Sequence, residues 1–299
     1  MATRTKKKKI QFFEFVDEDG SRIPDPLPWE DALSAIWRQD VDARKHSIYG
    51  VQHWGQVYTY DDTDHFVLAR LREEGVSTFD IARDQIIDQE SQAANPYVEL
   101  SIISILPGTN KFGFVRGSNA SSHAVTFGEW LNAHETFSRS VSVAPLVSRR
   151  TQEKIARARE VKLLDVRYDP QTSRAAAVAD STGLSTAMNS LVDGHSGADI
   201  EITLRQKGRP GQRTAELRHA IANTMRWVAG HPFSKAVADI VEFDDDGTVH
   251  QERIDFLNDI LARRMTVSVV DEEGNPVRIP SALAAISRAA DILREDLGN

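Results

Sequence analysis

The first half of the chain alternates hydrophobic and polar residues over several short segments, which is the period-two pattern of β-strands. Polar turns at residues 61–64 and 107–110 separate neighbouring segments and indicate antiparallel hairpins. Two amphipathic helices are also predicted, one that begins at Trp29 after three prolines and one that Thr126 would cap. The predicted strands are residues 10–16, 48–60, 65–71, 98–106, 112–116 and 141–147, and the helices are residues 29–38 and 126–135.

The second half of the chain contains more helical patterns. The predicted helices are a basic helix beginning at Thr151, residues 175–192, a helix beginning at Thr214 and a closing helix over residues 280–297. The predicted strands are residues 161–168, 198–205, 238–243, 248–254 and 265–270. The expected fold class is α+β, with antiparallel sheets and packed helices. We expect a strand-rich domain over residues 1–147 and a helix-rich α+β domain over residues 148–299, and discontinuous domains would give the same pattern.

Composition removes several classes of protein from consideration. The chain has 299 residues, of which 40% are hydrophobic and none is cysteine. This excludes disulfide frameworks, thiolate nucleophiles and metal sites with cysteine ligands. The most apolar stretch, residues 98–106, is about half the length of a membrane-spanning helix. We therefore expect a cytoplasmic protein, with residues 1–9 forming a mobile basic tail.

The net charge of −8 is unevenly distributed along the sequence. Residues 1–9 contain five Lys or Arg and no Asp or Glu, and residues 205–226 contain six Lys or Arg and one Asp or Glu. A third segment, residues 149–174, contains eight Lys or Arg and four Asp or Glu. Basic segments within an acidic chain can accept a polyanion such as DNA along one path, and they can equally be solvated surfaces.

Two of these segments supply the candidate DNA contacts. The strand at residues 198–205 leads into a basic, glycine-containing loop, which is the best anchor for phosphates in the sequence. On the basic helix, three cations at i, i+4 and i+7 spacing share one face. The candidate residues are Arg205, Lys207, Arg209 and Arg213 in the loop, and Arg149, Arg150, Lys154 and Arg157 on the helix.

Catalytic signatures are missing from the sequence. It contains no phosphate-binding GxxxxGK[ST] motif, no GxGxxG, no GxSxG and no HExxH. Glu160-Val161-Lys162 has the Glu-x-Lys form of metal-dependent nucleases, but the acidic partner expected shortly upstream is absent. We therefore predict no catalytic residues, no metal, no cofactor and no small-molecule substrate.

Four segments, taken together and in order, resemble the RexA-type phage exclusion proteins. They are FGFVR at residues 112–116, the helix containing Phe127 and Trp130, VSVAPL at residues 141–146, and DIEI at residues 199–202 before a basic run. The resemblance continues through His231-Pro232-Phe233-Ser234 and the closing helix, so it spans roughly residues 112–297.

The resemblance implies a homodimer with an architecture similar to that of the recombination-associated protein RdgC. It implies sequence-independent binding of double-stranded DNA with a domain rearrangement, in a temperate-phage (prophage) exclusion system. The matching basic positions are Arg205, Lys207, Arg209 and Arg213. The resemblance also implies a separate RexB-like membrane protein as partner.

Two alternatives to a non-catalytic DNA-binding protein remain open. The first is a metal-dependent nuclease of an anti-phage defence system that uses dispersed carboxylates with Lys162. The second is a regulatory protein whose basic segments contact an acidic protein partner.

Overall fold

The computed structural model describes residues 4–17, 22–72, 76–80, 85–89, 96–157, 160–168, 200–205, 233–243, 249–255 and 259–298. The strands are β1 (Arg4–Val16), β2 (Lys45–Ile48), β3 (Val51–Tyr60), β4 (Thr63–Leu71), β5 (Val76–Asp80), β6 (Gln85–Gln89), β7 (Val98–Ile105), β8 (Lys111–Arg116), β9 (Ser142–Pro145), β10 (Glu160–Tyr168), β11 (Ile200–Arg205), β12 (Phe233–Phe243), β13 (Val249–Asp255) and β14 (Ala262–Val270). The helices are α1 (Trp29–Trp37), α2 (Ala124–Ala133), α3 (Arg149–Arg157), α4 (Arg278–Ile292) and α5 (Arg294–Leu297), with a 3-10 turn at Asp42–Arg44.

One large antiparallel sheet carries most of the described structure, so the fold is α+β as predicted. Its strands follow the order β14-β1-β8-β7-β4-β3-β2, with β9 also paired to β1, and the sheet curls into a half-barrel. A second antiparallel sheet has the order β11-β10-β12-β13, and β5 pairs with β6. Helix α4 packs against β14, β7 and β8, while α1 packs on β3 and β4 and α2 on β2 and β9.

Strand β1 supplies side chains to two separate hydrophobic cores. Phe13 and Phe15 belong to the core beneath α1 and α2, and Ile10 and Phe12 belong to the core beneath α4. Successive side chains of a strand point to opposite faces, so this alternation places β1 between the two helical layers. Aromatic residues at these positions bury large areas and stabilise both layers at once.

The core beneath α1 and α2 is built around Trp130, which is fully buried. Its ring contacts Phe66 at a centroid distance of 4.9 Å and stacks on His134 at 4.6 Å. Gly55 gives the indole its space, because a Cβ there would lie 2.3 Å from Cζ2 of Trp130. The glycine in the middle of β3 is therefore a packing requirement.

Most predicted elements are confirmed, and the differences have local causes. The predicted strand over residues 48–60 is confirmed for residues 51–60, but it begins too early, because Tyr49 and Gly50 take φ values of 58° and 79° and turn the chain between β2 and β3. Two consecutive positive φ values suit a tight hairpin turn. The predicted Thr126 cap is also wrong, since α2 begins at Ala124 after His123.

The mobile basic tail is contradicted for residues 4–9, which form the first half of β1. Lys6 lies opposite Val267 and Lys8 opposite Met265 in the antiparallel ladder with β14. Four consecutive lysines hide the alternation that marks a strand. The pairing partner supplies the hydrophobic residues that the lysine run lacks.

Several predictions concern residues outside the described part of the chain. These are the helix over residues 175–192, the loop after Arg205 and the helix from Thr214. The domain division at residues 147 and 148 stays a prediction. Strand β14 joins the large sheet that the first half builds, and helix α4 packs against it. Among the described helices, none combines the length and apolarity needed to cross a membrane.

Replacing Gly55 with alanine tests the packing against Trp130. The new methyl group would overlap the indole and Phe66, so we expect the free energy of unfolding to fall by about 1–3 kcal/mol. Gln56→Ala, at an exposed position of the same strand, is the control and should change it by less than about 0.5 kcal/mol. Equal effects in urea denaturation would contradict the packing role.

His53 predicts a dependence of stability on pH. Burial lowers its pKa from 6.5 to about 4, so between these values the unfolded state binds more protons than the folded state. The unfolding free energy should therefore fall as pH drops from 6.5 towards 4, with His53 contributing a slope of up to about 1.4 kcal/mol per pH unit. Denaturation of His53→Gln should show a shallower slope, to which His123 still contributes because its pKa is also lowered to about 4, as do His46, His65 and His134, whose pKa values burial lowers. An unchanged slope would contradict this assignment.

Candidate nucleic-acid interface

The basic ribbon is the most concentrated positive charge among the described residues, and it lies at one edge of the large sheet. It consists of Arg4, Lys6, Lys7, Lys8 and Lys9 on β1 with Arg263 and Arg264 on β14. The two strands are paired from residues 4 to 11 against 262 to 270, and neither segment contains Asp or Glu. Since β14 is the last strand of the sheet, the ribbon forms an edge of the molecule that a long polyanion could reach.

The two faces of the ribbon differ. Lys6 and Lys8 share the face of Val267 and Met265, which pack towards α4. The other face carries Lys7 and Lys9, with Thr266 and Arg264 directly opposite them, and all four are exposed. Cationic and hydroxyl side chains are the groups that bind phosphate oxygens in protein–DNA complexes.

Lys9 and Arg264 form a like-charge pair across the two strands. Directly opposed like charges destabilise an antiparallel ladder. The Lys9–Arg264 pair and the neighbouring lysines therefore lower the stability of the β1–β14 ladder. A bound polyanion would neutralise these charges and restore that stability.

A second group of cations, the loop cluster, gathers around residues 117–122 at the end of β8. Lys8 Nζ donates to the carbonyl oxygen of Gly117 at 2.6 Å, and Arg70 Nη1 donates to that of Ala120 at 2.7 Å. Arg116 Nε donates to the carbonyl oxygen of Ser121 at 2.8 Å. We define the cluster as Lys6, Lys8, Arg70, Arg116 and Arg278, so it shares Lys6 and Lys8 with the ribbon.

The charges of the loop cluster repel one another. Burial, followed by the charges of Lys6, Arg278 and Arg116, lowers the pKa of Lys8. Burial and then Arg70 lower the pKa of Arg116. Within the described ranges, Glu99 is the one carboxylate whose charge raises the pKa of Lys8.

The cations predicted on the basic helix lie on α3, as expected, but most of them are ion-paired. Arg149 Nε lies 3.0 Å from a carboxylate oxygen of Glu153, and Arg157 lies 3.8 Å from the same group. Lys154 pairs with Glu252. Exposed ion pairs of this kind are weak, so these residues stay candidates beside Arg150.

The basic loop predicted to bind phosphates lies mostly outside the described residues. Arg205 ends β11, while Lys207, Arg209 and Arg213 fall beyond the described range. Their proposed contact with DNA stays a prediction.

Three histidines make local side-chain hydrogen bonds, and two of them pair with each other. His53 Nδ1 donates to the carbonyl oxygen of Val51 at 2.9 Å, which leaves Nε2 to accept from the Ser122 hydroxyl at 2.8 Å, and both side chains are buried. His46 Nε2 and His134 Nδ1 lie 2.9 Å apart and join β2 to the end of α2. In the portion of the chain that the structure describes, no three His, Asp or Glu side chains are grouped to hold a metal ion.

Sequence reasoning missed both basic groups as surfaces. The lysine run was visible, but its partner strand lies about 250 residues later in the chain. Arg70, Arg116 and Arg278 are single cations in separate elements, so no local pattern marks them. Besides the lysine run, the doublet Arg263-Arg264 in an otherwise half-buried strand was a signal in the sequence.

The sequence matches no model of a known protein family, and no characterised protein was found to be similar to it.

Replacing Lys9 with threonine tests the repulsion in the ribbon. Removing one charge of the Lys9–Arg264 pair should raise the free energy of unfolding by about 0.5 kcal/mol in dilute buffer. Lys7→Thr is the matched control, because Lys7 faces Thr266. The difference between the two variants should shrink in about 1 M salt, where charges are screened. Equal stabilities of the two variants at low salt would show that the pair is not repulsive.

Proposed function

We propose that the protein binds double-stranded DNA through the phosphate backbone, without sequence preference, at the basic ribbon. The observation that carries this proposal is the paired β1–β14 edge, with seven cations and no carboxylate in the two paired segments. Seven of the 36 Lys and Arg residues thus lie on one edge of a chain whose net charge is −8. Such a distribution favours approach of a polyanion from that side and repels it elsewhere.

Sequence-independent binding follows from the types of residue on the exposed face. Lysine, arginine and threonine side chains can neutralise or hydrogen-bond phosphates, and phosphate contacts carry no direct sequence information. The two-stranded ribbon thus supplies a row of backbone contacts along its length.

The biological setting in the proposal comes from the resemblance to the RexA-type phage exclusion proteins. It comprises a cytoplasmic homodimer in a bacterial host, a domain rearrangement on DNA as expected for an RdgC-like architecture, and a RexB-like membrane partner. One of the resembling segments, residues 112–116, belongs to β8, and its last residue, Arg116, is part of the loop cluster. The basic positions that the resemblance itself matches, Arg205 to Arg213, begin on β11 of the second sheet, so the ribbon is proposed from the charge distribution alone.

A triple variant tests the proposal, with Lys7, Lys9 and Arg264 all replaced by alanine. We expect roughly tenfold or greater weakening of duplex binding at about 0.1 M salt, with equal effects on two unrelated sequences. The slope of log affinity against log salt should become shallower by about 0.9 for each phosphate that the variant no longer neutralises. Fluorescence anisotropy of labelled duplexes over a salt series measures both quantities.

The control removes the same number of charges elsewhere, by replacing Arg139, Arg288 and Arg294 with alanine. If both triple variants lose affinity equally, the effect is one of net charge and the ribbon is not the interface. Polyglutamate in place of DNA provides the second comparison. Binding of polyglutamate without binding of duplex would replace this proposal with the acidic-protein alternative.

A further inference from the structure

The loop cluster differs from the ribbon because its cations come from separate elements and lie around one loop, which begins at Gly117. Lys8 comes from β1, Arg116 from the end of β8 and Arg278 from the first residue of α4. Strands β1 and β8 are paired only through residues 11–14 and 111–114, and Lys8 reaches across to the carbonyl oxygen of Gly117 beyond that pairing. The cluster therefore lies where the two strands part.

The loop fixes the positions of these cations. A Cβ at Gly117 would lie 3.4 Å from Arg278 Nη1 and 3.6 Å from Ser121 Oγ, so the bare backbone passes close to both groups. The Gly117 N–H donates to the carbonyl oxygen of Leu100 at 2.8 Å, which anchors the start of the loop. The loop thus holds the cations of separate elements together.

Donors remain available after these contacts are made. The Lys8 ammonium has three N–H groups and the Arg116 guanidinium has five, more than their contacts with the loop carbonyls use. Arg278 is the first residue of α4, where no side-chain hydrogen bond caps the helix, so its charge adds to the positive end of the helix dipole. Several positive charges close together, with N–H groups that the loop carbonyls do not use, favour an oxyanion over any neutral ligand.

We propose that Lys8, Arg116 and Arg278 form a seat for a single phosphate group beside the Gly117 loop. The seat rests on the proposed function, in which it would hold a phosphate of the bound DNA that reaches the α4 side of the ribbon, opposite the face of Lys7 and Lys9. The chemistry suits a phosphodiester within a strand or a terminal phosphate monoester.

The negative charge of Glu99 opposes phosphate binding at the seat. Its carboxylate accepts a hydrogen bond from the Ser118 hydroxyl and lies 3.6 Å from Arg72, and its charge acts on Lys8. Removing this charge while keeping an acceptor for Ser118 should therefore strengthen phosphate binding.

Inorganic phosphate is the probe, and isothermal titration calorimetry of the full chain is the measurement. We expect Lys8→Gln to weaken phosphate binding at least tenfold and Glu99→Gln to strengthen it several-fold. Lys45→Gln is the matched control, because it removes the same charge from β2, at the opposite end of the sheet order from β14 and outside both basic groups. Its phosphate affinity should stay within about twofold of that of the unaltered protein. Arg278→Gln provides a second loss-of-binding variant if Lys8→Gln disturbs the β1–β14 pairing.

The outcomes separate the seat from the proposed function. Equal phosphate affinities of Lys45→Gln and Lys8→Gln, or no phosphate binding by the unaltered protein, would overturn the seat even if duplex DNA binds. Phosphate binding with the expected variant pattern but no duplex binding would support the seat and contradict the DNA proposal. Comparison of closed circular, linear and 5′-phosphorylated linear duplex then distinguishes an internal phosphodiester from a terminal phosphate.

Discussion

The pairing of β1 on both of its edges is the constraint on which the rest of the described structure depends. The strand pairs with β8 along one edge and with β14 and β9 along the other. Its alternating side chains enter the core beneath α1 and α2 and the core beneath α4. A register shift by one residue would exchange Phe13 and Phe15 for Ile10 and Phe12 between two cores of different shape. The two cores thus fix the pairing register of the hydrophobic half of β1.

That fixed half positions the basic half of the same strand. Lysines in a flexible tail would reach phosphates only after losing conformational entropy on binding. In β1 they are already ordered, because the ladder with β14 continues from Gln11 to Arg4. The conformational entropy of these lysines is therefore lost on folding and not on binding. The repulsion between Lys9 and its neighbours remains and lowers the stability of the folded protein. The hydrophobic cores supply the stability that allows such repulsion to persist.

Local patterns predicted much of the fold but little of the site. The β3–β4 and β7–β8 hairpins could be predicted because polar turn residues separate alternating segments close in sequence. Pairing of β1 with β14 could not, since it joins the two ends of the chain and Lys6 to Lys9 show no alternation. Arg70, Arg116 and Arg278 come together only through sheet topology, which a reading of separate segments does not contain. The basic helix α3 was predicted correctly, yet its pairing with Glu153 and Glu252 needed the fold.

Lysine footprinting tests the central claim most directly. The protein is acetylated briefly with and without duplex DNA, and the modification of each lysine is measured by mass spectrometry. We predict that DNA protects Lys6, Lys7, Lys8 and Lys9, while Lys45 and Lys235, which lie on other strands, are modified at unchanged rates. Equal modification of the β1 lysines with and without bound DNA would contradict the claim that the ribbon is the nucleic-acid interface.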